Sequence, residues 1–468
     1  MRLMTPFLFC LLLTACAQTD SAKTRFASEK TDSVAQILAE PLPISPHIIK
    51  GKLDNGLQYI IRENKTPANF AELRLIVHAG SLQEDESQLG FAHFAEHMAF
   101  NGTEDFEKQE IIEYIEAIGM RFGPHLNAFT SFDDTRYQLR LPTDQAGTLE
   151  KGFHILENWA HKISFDGDSI DNERGVVLEE WRSRKGAQER ILSQRLPVQM
   201  RGTLYAERMP IGSEDIILNG KHEDLIRFYT TWYRPDLMSI IAVGDFDGQV
   251  VEALIQQYFG KLVNPPMPVD KPQQVLTAYS SPEFSIITDP EITQSAMSID
   301  YRLPATEALI GADLRESTLS QLAENMLNKR FQEIAWKQDA PFTYASVQLR
   351  LNYTLGRNLS LNFGPKPGQH QEAFSQVLST LKSMAELGPF QEELDKQKHI
   401  FVDNLGSALA QQSTINHQFY VGQYLNHFVA GNALFSLEQA LGLVSLYIDT
   451  ISAEDIQHRV AQWIEQND

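Results

Sequence analysis

Two histidines and a glutamate stand within five residues of one another in the segment GFAHFAEHMAFNGTEDF, residues 90–106. His93 and His97 are four positions apart, so on a helix both imidazoles project from one face about one turn apart. Two neutral imidazoles in this arrangement can bind a single zinc ion. Glu96 leans to the same side and could take a proton from a water on that ion. The spacing H-x-x-E-H is the inverzincin signature and predicts a zinc site.

The alternative for this segment is a pair of core histidines beside a buried glutamate that is paired elsewhere. An unpaired carboxylate in such an apolar run would be costly to bury, which favours the metal site.

A catalytic zinc site needs a third protein ligand, and the segment DNERGVVLEEWRSR, residues 171–184, offers candidates. Glu173 and Glu180 are seven positions apart, or two helical turns, and therefore share a face. Glu179 is rotated by about 100° from Glu180 and would point elsewhere. Spacing by itself does not choose between Glu173 and Glu180. Without the histidine motif, this segment would be interpreted as a solvated, charged helix face.

The bulk composition narrows the possible functions. The chain has 468 residues, of which 43% are apolar, and a formal net charge of −21. This length suits two or more domains, and the acidic balance argues against a nucleic-acid partner. The two cysteines, Cys10 and Cys16, both lie at the N-terminus. Any metal must therefore be held by histidine and carboxylate.

The N-terminal segment MRLMTPFLFCLLLTAC is predicted to be a targeting signal, residues 1–16. Its apolar run is too short to span a bilayer as a helix. The last four residues, LTAC, resemble a bacterial lipobox, which implies a lipid on Cys16 and attachment to a membrane in the bacterial periplasm. Ala17 stands where an inner-membrane retention signal has aspartate, which favours the outer membrane over the inner one. An ordinary cleaved signal with an incidental cysteine is the alternative.

The order of strand and helix patterns predicts an α+β protein with two similar units, each a mostly antiparallel sheet covered by helices. Residues 17–45 are polar and small, and are predicted to be a tether. The first unit is predicted over residues 46–263, followed by a proline-rich linker at 264–280 and a second unit at 281–468. In the first unit the predicted strands are 57–64, 72–80, 126–142 and 237–246, and the predicted helices are 89–100, 107–119, 146–163, 168–185 and 221–230.

The motif H-x-x-E-H, followed by E-R-x-x-V-x-x-E at residues 173–180, resembles the pitrilysin/insulinase family of zinc peptidases. HFAEHMAFNGT and RGVVLEEWR are especially similar to the periplasmic PqqL-type branch of that family. The resemblance covers about residues 45–460 and implies a pitrilysin-like half clam-shell that acts as a zinc-dependent endopeptidase on peptides or unfolded segments. It implies one zinc ion per chain and these roles: ligands His93, His97 and Glu180, general base Glu96 acting on a zinc-bound water, and accessory acidic residue Glu173.

The same resemblance implies where a peptide binds. The family has an N-A-x-T segment on a sheet edge near the metal, matched here by Asn127, Ala128, Phe129 and Thr130. An extended peptide could add to such an edge as a further strand. Tyr344 matches a substrate-positioning tyrosine of the family, although a lysine stands where the family has arginine in that segment.

The family builds its chamber from four such units, whereas two are predicted here. The resemblance therefore implies half of a working peptidase, with a second unit that is non-catalytic and incomplete at its C-terminus. The other half would come from a homodimer, a heterodimer or a missing C-terminal segment. Two alternative functions are a non-catalytic partner subunit with a peptidase fold and a zinc-sequestering lipoprotein. The intact motif positions argue against the first, and the lack of a His-rich tract argues against the second.

Overall fold

The computed structural model describes residues 34–266, 271, 274, 281–303, 309–351 and 355–465. The predicted signal peptide, the lipid-bearing Cys16 and most of the predicted linker lie outside the described residues. The end of the predicted tether differs from the prediction, because residues 34–39 are helical and Val34 is buried in the core of the second unit. The N–H of Leu42 also donates to the carbonyl of Leu309 at 2.9 Å, which fastens this segment to the second unit.

The first sheet has six strands in the order β1–β2–β6–β3–β5–β4. Their bounds are β1 Ile49–Lys52, β2 Gln58–Glu63, β3 Phe70–Val77, β4 Leu126–Thr130, β5 Thr135–Pro142 and β6 Met238–Gly244. The strands β2 and β6 pair in parallel, and all other neighbours are antiparallel. Every residue of β6 is buried, as expected for a central strand that is covered on both faces. Among the described strands, β4 pairs with β5 alone, so its other edge is open.

Eight helices are described in the first unit: Phe91–Met98, Glu110–Ala117, Thr148–His161, Gly167–Ser183, Ala187–Gln199, Glu214–Asn219, His222–Trp232 and Gly248–Phe259. Several of these helices pack on one face of the first sheet and form the larger hydrophobic core of the protein. Alternate residues of β3 belong to this core together with Phe94 and Trp159. The sequence did not predict Ala187–Gln199, because this helix has one buried residue, Leu196, and a proline inside it. Such a helix lacks the apolar stripe that makes periodicity visible.

The second sheet has three antiparallel strands in the order β7–β9–β8, with β7 Met297–Leu303, β8 Phe342–Leu351 and β9 Arg357–Pro365. The described helices of the second unit are Gly311–Ala335, His370–Leu387, Gln391–Ala410, His417–Ala430, Leu437–Tyr447 and Ala453–Glu465. The predicted fold class, α+β with two mostly antiparallel, helix-covered sheets, is confirmed. None of the described helices is long and apolar enough to cross a membrane.

One helix of the second unit covers the other face of the first sheet. Tyr420, Val421 and Tyr424 of His417–Ala430 pack against a group of branched residues from three strands. That group consists of Ile60, Ile76, Ile241 and Val243. Because both faces of the central strands are covered, these strands are apolar on both sides rather than alternating.

Candidate metal centre

The helix Phe91–Met98 carries the two histidines and is called the motif helix below. It begins after Gly90, whose φ of 101° lies in the left-handed region that favours glycine. The carboxylate of Glu84, which is 4% exposed, accepts hydrogen bonds from the N–H groups of Gly90 at 3.0 Å and Ala92 at 2.8 Å. These contacts satisfy N–H groups that a helix N-terminus leaves without intrahelical partners. Glu84 therefore fixes the start of the motif helix.

Apolar side chains seat the motif helix in the core. Phe91, Phe94 and Met98 are fully or almost fully buried in the larger core. The rings of His93 and His97 leave the same side of the helix, with centroids 4.7 Å apart. The spacing of the motif predicted this arrangement, and the core contacts hold it rigid.

The helix Gly167–Ser183, called the glutamate helix below, brings a carboxylate to both imidazoles. Glu180 places one oxygen 3.7 Å from Nε2 of His93 and the other 3.2 Å from Nε2 of His97. One potential ligand atom from each of these three residues lies within 4.8 Å of the others. Two imidazole nitrogens and one carboxylate oxygen are the donor set of several catalytic zinc sites, which leave a position open. The residues present therefore fit a zinc ion.

Glu173 occupies a different place from Glu180. Its Oε1 lies 2.8 Å from Nδ1 of His97, and its Oε2 accepts a hydrogen bond of 2.7 Å from the amide of Asn101. A carboxylate on Nδ1 fixes the orientation of the ring and leaves Nε2 free for a ligand role. Glu179, which the sequence predicted to point elsewhere, is 73% exposed and pairs with Arg182. Asn101 was not predicted as part of the site, because the sequence only marks it as a helix end.

The electrostatics of the metal-free site differ between the two imidazoles. Burial lowers the pKa of His93 to about 3, so this ring is neutral, which is the form that binds metals. Burial also opposes a charge on His97, but the carboxylates of Glu173 and Glu180 outweigh it and raise its pKa to about 9. The hydrogen bond from His97 lowers the pKa of Glu180 to about 2. In the metal-free site, His97 is therefore protonated and faces the ionised carboxylate of Glu180.

Arg184 follows the end of the glutamate helix and also contacts the cluster. Its Nη2 donates a hydrogen bond to Oε1 of Glu180, while about half of its side chain is exposed. The sequence analysis did not single out this residue. A single arginine one turn after a glutamate is common on helix surfaces and carries no signal by itself.

Glu96 is buried at 7% exposure beside the three candidate ligands. Burial raises the pKa of its carboxyl to about 7, although the hydroxyl of Thr130 donates a hydrogen bond of 2.7 Å to Oε2. A pKa near the working pH suits a general base. Thr130 is the last residue of the edge strand β4. The same strand that could receive a peptide therefore holds the candidate base.

Removing the hydroxyl of Thr130 should disturb Glu96 alone. We expect Thr130→Val to lower the kcat of peptide hydrolysis about 10-fold with KM and zinc content unchanged, since hydrogen bonds to charged groups contribute about 1.5–3 kcal/mol. Thr130→Ser keeps the hydroxyl and should keep most of the rate. Steady-state kinetics on a fluorogenic peptide, with zinc measured on the same preparations, check this. Equal losses in the valine and serine variants would contradict the prediction.

The predicted peptide-binding residues lie in two places. Asn127 and Phe129 are exposed on β4, Phe129 at 54%, and Ala128 is half-buried between them. Tyr344 lies on β8 in the second sheet, beside Gly364, and is half exposed. The structure does not bring Tyr344 into the group of described residues around His93.

A second group of potential metal ligands consists of Asp105, His154 and Glu157. The ammonium group of Lys162 lies 2.8 Å from Asp105 and 3.1 Å from Glu157. Because a cation of the protein already fills this group, we do not assign it to a metal.

Comparison with known proteins agrees with the motif. The model of the family described as Insulinase (Peptidase family M16) matches residues 59–207, and that of the Peptidase M16 inactive domain matches residues 221–401. The chain belongs to the insulinase family, M16. Two M16 relatives, described next, are named probable zinc protease, which supports a peptidase.

Several M16 relatives that are similar to this chain over most of its length are PqqL-type proteins. Probable zinc protease PqqL of Escherichia coli K12 is 31% identical over 441 residues, which are 92% of this chain and 46% of PqqL. The protein of the same name from Haemophilus influenzae is 32% identical over 360 residues, 75% of this chain and 38% of that protein. The crystal structure of the first half of the periplasmic protease PqqL from E. coli has a TM-score of 0.84 and 29% identity, and the match covers 91% of each chain. The chain spans about half the length of the curated relatives it matches.

Proposed function

We propose that the chain is the zinc-binding half of an endopeptidase that hydrolyses peptides or unfolded polypeptide segments. One observation carries the proposal: His93, His97 and Glu180 present ligand atoms within 4.8 Å of one another, next to the buried carboxylate of Glu96. The proposed metal is one zinc ion per chain, with these three residues as its ligands.

The proposed chemistry divides between the metal and the protein. A bound zinc ion would polarise the scissile carbonyl and lower the pKa of water. Glu96 would accept a proton from the attacking water and return it to the leaving amine. Glu173 would hold His97 in place through Nδ1. No covalent intermediate is needed, which agrees with a described fold that contains no cysteine.

The proposed substrate is an extended chain. Among the described strands, the edge of β4 that faces away from β5 has no partner strand, and a peptide could add along Asn127, Ala128 and Phe129 as a further strand. Such pairing requires an extended backbone, so an ordered internal segment of a folded protein would be a poor substrate. The role of Tyr344 in positioning a peptide stays a prediction.

A metal and peptide assay tests this function. We expect about one zinc per chain and hydrolysis of a mixed-peptide digest that stops with a chelator and resumes with zinc. Because the chain spans about half of its PqqL relatives, we propose that a second peptidase-like half completes the chamber. The isolated chain should therefore bind zinc but cleave slowly, and a supplied second half should restore the rate.

The outcomes of this assay separate the alternatives. A chain without zinc would contradict the metal site, and full activity from a proven monomer would contradict the need for a second half. Stoichiometric zinc with no hydrolysis, even with the second half present, would favour the non-catalytic partner subunit instead.

The proposed location is the bacterial periplasm. A lipid on Cys16 would anchor the chain to a membrane, and the outer membrane is favoured over the inner one. The lipobox-like LTAC supports this proposal, and the solved E. coli relative is described as periplasmic. We expect Cys16→Ala to move the protein from the membrane fraction to the soluble periplasmic fraction. An unchanged distribution between the two fractions would contradict the lipid anchor.

A further inference from the structure

A buried arginine lies where the first sheet meets the second unit. Arg62, on β2, is 7% exposed, and its guanidinium stacks 3.7 Å from the centroid of the Tyr420 ring. Its Nη1 donates a long hydrogen bond of 3.4 Å to the hydroxyl of Tyr424. Within the described part of the chain, the structure gives this guanidinium no ion pair with a carboxylate. Arginine is rarely this buried unless it is paired, because an uncompensated charge is costly away from water.

Three polar atoms of this guanidinium and its neighbours lack a hydrogen-bond partner among the described residues. Nε of Arg62, the hydroxyl of Tyr420 and Oε1 of Gln412 are buried without a hydrogen bond to any described residue. These three side chains line one cavity, together with Ser45, His47 and Ser436. Buried polar groups in native proteins nearly always have partners. Three such residues around one cavity therefore indicate a binding site for an occupant that satisfies them.

The size of the cavity limits what can occupy it. The volume of the cavity is ≈ 10 Å³, which is roughly the room that one water molecule needs. A polyatomic oxyanion or an organic acid is larger than this space. The occupant is therefore a water molecule or a monatomic ion.

Charge decides between these two occupants. A water could donate to Oε1 of Gln412, but it would leave the charge of Arg62 uncompensated. An anion accepts from Nε of Arg62 and from the hydroxyl of Tyr420, and it also balances the guanidinium. The carboxylate of Glu438 is about half exposed and lies 3.7 Å from Nε2 of His47, and it also interacts with Ser436 and Gln412 rather than with Arg62. The electrostatic cost of a bare buried cation exceeds that of one unpaired amide oxygen.

We propose that Arg62 and Tyr420 form a binding site for one chloride ion. The site joins β2 of the first sheet to the helix His417–Ala430 of the second unit, two elements that are more than 350 residues apart in the chain. These residues meet only in the folded protein. Chloride therefore binds the native state alone and stabilises the contact between the two units.

Thermal unfolding of the full chain in two salts of equal ionic strength tests the site. Gluconate is too large for the cavity, so sodium gluconate serves as the reference for sodium chloride. At about 200 mM chloride we expect the melting temperature to be about 2 °C higher than in gluconate. Tyr420→Phe keeps the ring under the guanidinium but removes the hydroxyl, and should at least halve this difference. Arg62→Gln should abolish it.

A matched control and a direct localisation complete the test. Tyr447→Phe removes another buried hydroxyl of the second unit, one that is hydrogen-bonded to Thr318 at 2.7 Å, and should keep the full chloride effect. Crystals grown in sodium bromide should show an anomalous peak beside Nε of Arg62. A water without anomalous signal at this position, or equal melting temperatures in the two salts, would overturn the proposal. An undiminished chloride effect in Tyr420→Phe would also overturn it, even if Arg62→Gln does not fold.

Discussion

Replacing Glu96 by glutamine is expected to lower peptide hydrolysis by about 10²–10⁴-fold while zinc stays bound. Glutamine has the same shape as glutamate and can still accept the hydrogen bond from Thr130, but it cannot take a proton. The measurement is kcat on a fluorogenic peptide in the preparation where the wild type is active, with zinc quantified in parallel. Glu179→Gln is the matched control, because Glu179 is 73% exposed and pairs with Arg182 away from the cluster. An unchanged rate in Glu96→Gln would exclude Glu96 as the base.

The same variant has an expected effect on stability that is independent of catalysis. Burial raises the pKa of Glu96 from the ordinary value of 4.5 to about 7 in the metal-free protein. The folded state therefore holds a proton that the unfolded state releases first, and the wild type loses stability as the pH rises from 4.5 to 7. Glu96→Gln removes this loss. The difference in unfolding free energy between metal-free Glu96→Gln and the metal-free wild type should therefore increase by roughly 1–3 kcal/mol from pH 4.5 to pH 8 in favour of the variant. Denaturant unfolding at the two pH values measures the gain. A gain that does not change with pH would contradict the raised pKa.

Changing Glu180 or Glu173 to glutamine is expected to have different effects on zinc binding and on the rate of hydrolysis. Glu180→Gln removes a proposed ligand, so zinc affinity should fall by more than about 100-fold and zinc should be lost on dialysis. Glu173→Gln removes a partner of His97, and such outer contacts contribute about 10–100-fold to metal affinity or activity. We expect this variant to keep stoichiometric zinc and to lose rate.

Zinc titration with a competing chelator, followed by kinetics at saturating zinc, separates the two cases. The Glu179→Gln control should match the wild type in both measurements. Zinc loss in Glu173→Gln with zinc retained in Glu180→Gln would reverse the proposed roles.

The main elements of the fold could be predicted because their apolar residues follow a clear period. In β5, buried and half-buried residues alternate, as the alternation in the sequence predicts for a sheet with one face on a core. The motif helix and the glutamate helix also lie within a few residues of their predicted bounds. The short strand β1 and the helix Ala187–Gln199 were missed, because neither has a buried stripe that a period could reveal. The end of the predicted tether is ordered by contacts with the second unit that no local pattern encodes.

The sequence by itself determined the part of the site that depends on local geometry. His93 and His97 share a face, with Glu96 beside them, because a helix repeats every 3.6 residues. The same rule put Glu173 and Glu180 on one face and turned Glu179 away. Periodicity could not rank Glu173 against Glu180, since residues two turns apart on one helix are equivalent until another element approaches.

Only the tertiary structure decided where these residues lie relative to one another. The motif helix crosses the glutamate helix so that Glu180 faces Nε2 of His97 and Glu173 faces Nδ1. Thr130 lies 34 residues after Glu96 in the chain. Its hydroxyl reaches Glu96 because β4 ends next to the motif helix. Arg62 is buried because a helix from the other unit lies over β2. These contacts join elements that are distant in the chain, and they arise from packing around a shared core rather than from any local repeat.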